Sequence, residues 1–257
     1  MRFSRALCRL PGVNLADGLT QCAGARPDFA LALAQHRCYV EALEGCGLTV
    51  TTLPADPTYP DGTFVEDTAV LTPDWAVMTI PGAPSRAGEG AAIAAALQPS
   101  FAVLNQIKAP GTVDGGDICE AGKHYFIGLS KRTNAEGARQ LAVILGTLGY
   151  TSSIVDIRDS ATLLHLKTGV AYVGDQCLVV TNDLPPVPEF ADFNLIAVST
   201  EESYAANCVR VNDRVLVASG YPAFLAALQA HGYRPLALDM SEFRKMDGGL
   251  SCLSLRF

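Results

Sequence analysis

Asp247-Gly248-Gly249-Leu250-Ser251-Cys252-Leu253-Ser254-Leu255-Arg256, followed by Phe257, ends a chain of 257 residues. The stretch reads as a polar, glycine-rich loop running into the first strand of a hairpin, and there the chain stops. A lone strand exposes a row of unpaired N–H and C=O groups. The apolar run from Phe3 to Arg9, at the other end of the sequence, can supply the missing partner. Joining the two ends in one sheet turns a linear series of units into a ring, which leaves no free sheet edge.

The rest of the sequence supplies the series. Five short apolar strands recur at Leu48–Leu53, Phe101–Ile107, Ser153–Ile157, Leu195–Val198 and Pro235–Asp239. Helix signals precede most of them. Asp28 caps a helix that carries Phe29, Leu33, Val40 and Leu43 on one face and ends at Gly45 and Gly47. Thr133 with Glu136 reads as a capping box for a helix running to Gly149. Ala223–His231, closed by Gly232, is a third. Hairpin-like strand pairs follow the loops: Val65–Ile80 turning at Pro73-Asp74, and Ile118–Leu129 at Gly122-Lys123. Two more are Val170–Val180 at Gly174-Asp175 and Val209–Ala218 at Asn212-Asp213. The expectation is one α/β domain over residues 1–257, a five-fold pseudo-symmetric α/β propeller of strand-helix units closed by its N- and C-terminal strands. The alternative is an irregular α/β domain in which the alternation arises by chance.

The inter-strand loops hold the chemistry. They carry Asp61-Gly62-Thr63-Phe64-Val65-Glu66-Asp67, then Asp114-Gly115-Gly116-Asp117, His165-Leu166-Lys167-Thr168-Gly169, Ala206-Asn207-Cys208, and finally the terminal stretch ending at Cys252. In a closed ring, equivalent positions point toward one axis, which would gather carboxylates, one His and one Cys into one pocket. A thiolate is a strong nucleophile, and a nearby His can hold its proton or protonate a leaving group. Several acidic groups facing one small space call for a cation, and a planar guanidinium pairs geometrically with carboxylates. Each residue has a plainer reading. A lone Cys near an apolar strand is usually core, Asp-Gly pairs are ordinary turns, and Asn207-Cys208 reads as the start of a strand. His36, His124 and His231 sit in helix or strand patterns where packing or surface roles suffice, whereas His165 stands at a loop-to-strand junction.

Composition narrows the classes. Hydrophobic residues make up 49% and charged residues 18%, which excludes a disordered chain. A formal net charge of −7, without a basic cluster, argues against nucleic acid or an anionic membrane as partner. No apolar run approaches a membrane span, and arginines interrupt the first nine residues too often for a secretory signal. The eight cysteines show no metal-finger spacing and suit a cytoplasmic protein. No metal or cofactor is expected.

At these residues the sequence resembles the dimethylarginine dimethylaminohydrolase family of the guanidine-modifying superfamily, whose fold is the five-fold propeller called a pentein. The likeness runs over nearly the whole chain. It is carried by Asp17-Gly18-Leu19-Thr20, Phe64-Val65-Glu66-Asp67, Asp114-Gly115-Gly116-Asp117, Gly128-Leu129-Ser130-Lys131-Arg132-Thr133-Asn134, His165-Leu166-Lys167, Tyr204-Ala205-Ala206-Asn207-Cys208 and Ser251-Cys252. It implies a catalytic Cys252, His165 and Asp114, guanidinium contacts from Asp67, and substrate contacts from Leu19, Asp61, Glu66, Arg86 and Arg132. The partner it implies is a free methylated arginine, its α-carboxylate held by Arg86 and Arg132. Monomer and homodimer both remain open.

The implied reaction runs through Cys252 attacking the guanidinium carbon while Asp67 and Asp114 hold the nitrogens. His165 protonates the departing amine, leaving a covalent thiouronium on sulfur, and then activates water, so that citrulline leaves. Related deiminases carry His-x-Asp where this chain has His165-Leu166-Lys167, and losing that carboxylate suits a methylated nitrogen. The rival readings are an arginine deiminase or citrulline-type hydrolase of the same superfamily, and a non-catalytic propeller used as a binding module.

Overall fold

The computed structural model describes residues 2–22, 24–102 and 104–257. The first group of elements is β1 (Arg5–Arg9), α1 (Phe29–Gly45) and β2 (Thr49–Leu53). Next come β3 (Ala69–Leu71), β4 (Ala76–Met78), α2 (Gly90–Leu97) and β5 (Leu104–Gln106). A third group is β6 (Ile118–Ala121), β7 (His124–Leu129), α3 (Ala135–Thr147) and β8 (Thr151–Asp156). The fourth holds β9 (Val170–Gly174), β10 (Cys177–Thr181) and β11 (Asn194–Val198). The fifth holds β12 (Val209–Val211), β13 (Arg214–Ala218), α4 (Pro222–Ala230) and β14 (Pro235–Leu238), and the chain ends with α5 (Ser241–Arg244) and β15 (Leu255–Arg256).

These strands form five three-stranded sheets of one design. In each, the first strand is antiparallel to the middle one, which is parallel to the third. A parallel neighbour needs a crossover. Helices α1 to α4 provide it in four units, and the 3-10 helix Pro188–Asp192 in the unit of β9 to β11. The sheet that closes the series joins both chain ends: Ala6 and Leu7 of β1 pair with Arg256 and Leu255 of β15. Asn212, at φ +54° in the β12–β13 turn, clips the same seam through Phe3 N and O and Cys46 O.

Every boundary between units is apolar. Leu7 and Leu255 share a cluster with Ala76, Met78, Ile93 and Leu97. Val70 and Val77 pack with Ile118, Tyr125 and Ile127 under Leu141 and Leu145 of α3. Cys119, Phe126 and Val155 meet Val170, Leu178 and Phe190. The largest cluster carries Val173 and Val179 through Val211 to Val217 and on to Ala6, Cys8 and Tyr39. Burial of this kind is non-directional and scales with apolar area. It therefore fixes the units against one another without dictating what faces the axis.

Four details depart from the sequence-based expectations. Helix α1 buries Ala32, Gln35, His36, Tyr39, Ala42 and Leu43, while Phe29 is exposed and Leu33 and Val40 are only half-buried. Polar groups are drawn inward because they meet tertiary partners. Tyr39 Oη bonds Ser254 Oγ at 2.7 Å, and Gln35 bonds Ser241 Oγ at 2.8 Å. Helix α3 is capped one residue later than its pattern suggests, by Asn134, whose Oδ1 accepts from Gly137 N at 2.8 Å. Val65–Thr68 is a turn of 3-10 helix before the strand begins at Ala69. The strand expected at 101–107 is described at Leu104–Gln106, and Val103 lies outside the described residues.

If closure rests on the β1–β15 seam, Leu255→Ala should destabilise the protein by about 2–5 kcal/mol. Leu195→Ala, at a position 51% exposed, should stay within about 0.5 kcal/mol. Urea unfolding of both variants measures the difference.

Candidate active site

Five short 3-10 helices lead to the first strands of the five sheets: Val65–Thr68, Gly115–Asp117, Leu166–Thr168, Thr200–Ala206 and Ser251–Leu253. Around the axis the second touches the first and third, the third touches the fourth, and the fifth touches the first. Asn207 closes the circle by bonding Ser251. Residues far apart in sequence thereby become neighbours. A cavity of about 300 Å³ on the axis is lined by Glu66, Glu120, Lys167, Arg210, Ser251 and Arg256. It is walled by the sequence neighbours of the reactive side chains rather than by Cys252, His165 or Asp114 themselves.

Asp114 and His165 form a buried pair, with Nε2 at 2.9 Å from Oδ2. The other Asp114 oxygen accepts from Gly82 N at 2.7 Å, and Asp114 N donates to Thr133 Oγ1 at 3.1 Å. The carboxylate is therefore occupied in orienting the imidazole. Asp117, also fully buried, accepts from Ser130 Oγ at 2.6 Å, Thr133 Oγ1 at 2.7 Å and Leu166 N at 3.0 Å. It thus anchors the turn that carries His165. Burial disfavours a charged imidazole, but Asp67, Asp114 and Asp117 outweigh it and hold the His165 pKa up to about 9. At neutral pH His165 is an imidazolium, ready to donate a proton.

Asp67 lies beside this pair. Its Oδ1 accepts from Gly116 N at 2.9 Å and its Oδ2 from Arg86 at 2.6 Å. Gly116 must be glycine, since a Cβ there would stand 2.7 Å from His165 Nδ1 and 2.9 Å from Asp67 Oδ1. Arg86 is only 5% exposed, and its guanidinium also spans both oxygens of Glu89, at 2.9 and 2.8 Å, and Phe64 O at 3.0 Å. Burial opposes ionisation of Asp67, yet His165 and Arg86 hold its pKa down to about 2. Ligand atoms of Asp67, Asp114 and His165 lie within 4.8 Å of one another, a spacing open to a metal ion. Those atoms are already engaged by Arg86, by Gly116 N and Gly82 N, and by the Asp114–His165 bond, which disfavours a metal ion there.

Cys252 is half-buried, and its Sγ accepts from Gly249 N at 3.4 Å. Burial first, then the negative charges of Glu66 and Asp67, push its thiol up to about 12. Glu66 accepts from Lys167 Nζ and Ser251 Oγ, each at 2.6 Å, and Arg256 lies at 3.6 Å. Lys167 therefore points at Glu66. Leu19 N donates to both oxygens of Asp61 at 3.0 and 3.2 Å, leaving the Leu19 side chain 41% exposed. Burial raises the Asp61 pKa, and the nearby Arg86 and Arg132 charges oppose that rise. Among the described residues the half-buried Arg132 guanidinium makes no hydrogen bond or ion pair.

No model of a known protein family matches the chain. Over 256 residues it is 46% identical to the N(G),N(G)-dimethylarginine dimethylaminohydrolase of Pseudomonas aeruginosa, covering 99% of this chain and 100% of that protein. The protein of the same name from Streptomyces coelicolor is 36% identical over 258 residues, 100% of this chain and 98% of that one. The chain belongs to the dimethylarginine dimethylaminohydrolase family. Among solved structures, a Cys-to-Ser mutant of the Pseudomonas aeruginosa dimethylarginine dimethylaminohydrolase complexed with citrulline matches at a TM-score of 0.96, with 45% identity over 100% of both chains. The N-terminal domain of ArgZ, a cyanobacterial arginine dihydrolase, is 17% identical at a TM-score of 0.87 over 100% of this chain and 97% of that one, a likeness of fold alone.

For this dimethylarginine dimethylaminohydrolase family member, four polar residues acquire roles that the sequence alone does not assign. In the sequence Asp117 has no role of its own, Glu89 does not stand out, Thr133 reads as a helix cap and Asn207 as the start of a strand. For Asp117 and Asn207 a signal was present, since both fall where the other units carry Asp67 and Cys252. Thr133 carries no such signal, because its partner Asp117 is met only in the fold, whereas Glu89 stands three residues after Arg86, a spacing at which opposite charges pair.

The raised His165 pKa has a testable origin. A proton held up by carboxylates is retained below about 9 and lost as pH rises through that value. In Asp114→Asn the midpoint should fall toward neutrality, with Asp67 and Asp117 still supporting it in part. Titration of the His165 ring by NMR in both proteins checks this, and an unchanged midpoint would count against the pairing.

Proposed function

We infer that this chain hydrolyses asymmetric dimethylarginine to citrulline and dimethylamine, and monomethylarginine to citrulline and methylamine. One observation supports it most directly. In a chain of this family, an imidazolium held by Asp114 lies beside an ionised Asp67, and the turn of the Cys252 thiol adjoins the turn of Asp67. We read residues 1–257 as a single propeller domain serving that site.

The proposed course follows from the charges. The free site holds a neutral Cys252 thiol and a protonated His165. A guanidinium cation entering beside Glu66 and Asp67 offsets the field that raises the thiol pKa, so the thiol proton is lost to solvent on binding. The thiolate forms a bond to the guanidinium carbon, with Asp67 accepting from the guanidinium N–H groups. The C–N bond to dimethylamine breaks as His165 donates its proton to that nitrogen. Neutral His165 then takes a proton from water as the water adds to the thiouronium carbon. The C–S bond breaks and citrulline leaves. Asp114 keeps the imidazole oriented throughout. Asp61 and the Leu19 loop are suited to the α-amino end, and Arg132 is the freer of the two arginines to meet the α-carboxylate.

Incubation with asymmetric dimethylarginine should release citrulline and dimethylamine in equal amounts, with no ammonia. Cys252→Ser should abolish turnover, and mass spectrometry of a quenched reaction should find the adduct on Cys252. An adduct on Cys208 or Cys119 would overturn the assignment. His165→Gly should lose about 10²–10⁴-fold in kcat, and added imidazole is expected to restore part of it.

Lys167 bears on substrate choice. Its ammonium faces Glu66 and cannot accept a hydrogen bond, so this turn offers no second acceptor to an unmethylated guanidinium. An unpaired donor in arginine should cost about 1–3 kcal/mol in kcat/KM relative to the methylated substrates. Equal kcat/KM for arginine and asymmetric dimethylarginine would make the protein a deiminase instead.

A further inference from the structure

Tyr204-Ala205-Ala206-Asn207-Cys208 carries no residue that the reaction above uses, yet its last two side chains before the strand reach into the ring. Asn207 is buried, and all of its amide capacity is directed at two other turns. Its Nδ2 donates to Lys167 O at 3.0 Å and to Ser251 Oγ at 3.0 Å, and its Oδ1 accepts from Ser251 N at 2.9 Å. Lys167 stands two residues after His165, and Ser251 immediately precedes Cys252. One amide therefore spans the turn of the proton donor and the turn of the nucleophile.

The neighbouring contacts support the same span. Gly249 has no side chain where a Cβ would collide with the Asn207 amide, so the nucleophile loop can close against it. The Tyr204 hydroxyl donates to Gly248 O at 2.7 Å, and Arg244 lies over the Tyr204 ring at 4.9 Å from its centre. Ser251 in turn donates to Glu66, beside Asp67, so the chain of bonds runs on to the turn of the guanidinium carboxylate. On the far side, Asp117 holds the His165 turn through Leu166 N. Asn207 thus joins the fifth turn directly to the third, as Glu66 does from the opposite side through Lys167 Nζ and Ser251 Oγ.

We propose that Asn207 is a positioning residue, whose amide sets the separation between the Cys252 and His165 turns. The proposal rests on Cys252 and His165 being the reacting pair. It touches neither substrate nor sulfur, and acts through Ser251 and Lys167. Its effect should fall on kcat, because the groups read as holding the amino acid end sit on other loops. A misplacement on the order of 1 Å between reacting groups costs roughly 100-fold.

Two variants test it. Asn207→Ala removes all three bonds. Asn207→Asp keeps shape and the acceptor for Ser251 N, but sets a carboxylate oxygen against Lys167 O and Ser251 Oγ, so it breaks the link to the His165 turn while keeping one bond to the Cys252 turn. Both should show kcat reduced about 100-fold per folded protein, with KM within about threefold of wild type, whatever the change in unfolding midpoint. A folded variant with kcat within about threefold of wild type, or a loss confined to KM, overturns the proposal. So does failure of both variants to fold, which would make Asn207 a residue of the fold alone. Cys252→Ser run in parallel separates the two levels: if it retains turnover, the nucleophile reading fails. If it is inactive while the Asn207 variants are not, only the positioning role fails.

Discussion

A carboxylate taken out of water needs compensation by hydrogen bonds or opposite charge, because its desolvation costs several kcal/mol. This ring buries Glu66, Asp67, Asp114 and Asp117 around one axis. Each finds at least one partner in a different unit from its own. Asp114 takes His165, Asp117 takes Leu166 N, Glu66 takes Lys167 and Ser251, and Gly116 N serves Asp67. The same contacts that neutralise the acids therefore hold the turns in register. Breaking one partner away would leave a buried charge, which is a far larger penalty than the loss of a surface pair.

That arrangement divides the labour among acids that look alike in sequence. Asp67 is kept ionised by Arg86 and His165, Asp114 is spent on the imidazole, and Asp117 is enclosed by hydroxyls and an amide. Separation of roles by environment is the usual way in which one set of residue types does both acid and base work. The thiol and imidazolium of the free site are likewise set by their surroundings. The negative field that favours protonated His165 is the field that disfavours a Cys252 thiolate.

The apolar seams and the polar axis answer to different forces. The seams between units are broad and tolerant, so a strand or helix can be placed there from its pattern of hydrophobic residues. The axis depends on distances of a few tenths of an ångström. Helix α1 lies between these regimes. Its inner face carries Gln35, His36 and Tyr39, which hydrophobicity alone assigns to the outside, because Ser241, Ser254 and the backbone of Arg9 come close enough to satisfy or enclose them. Burial pushes the His36 pKa down to about 4, so it stays neutral and behaves as a packing residue.

Strand repeats, turn residues and the loss of a partner for the last strand were legible in the sequence, because they are local. Period-two alternation, glycine turns and caps act over a few residues, and five repetitions with an unpaired end imply a ring. The types of reactive residue were legible too, at equivalent positions of the loops. What only the tertiary structure decided was which of them meet. Nothing near Arg86 in the sequence says that it turns onto Asp67, nothing near Thr133 says that it serves Asp117 rather than capping α3, and nothing near Asn207 points to Ser251. The partner of a buried polar group is chosen by proximity after folding, and proximity across a ring is independent of separation along the chain.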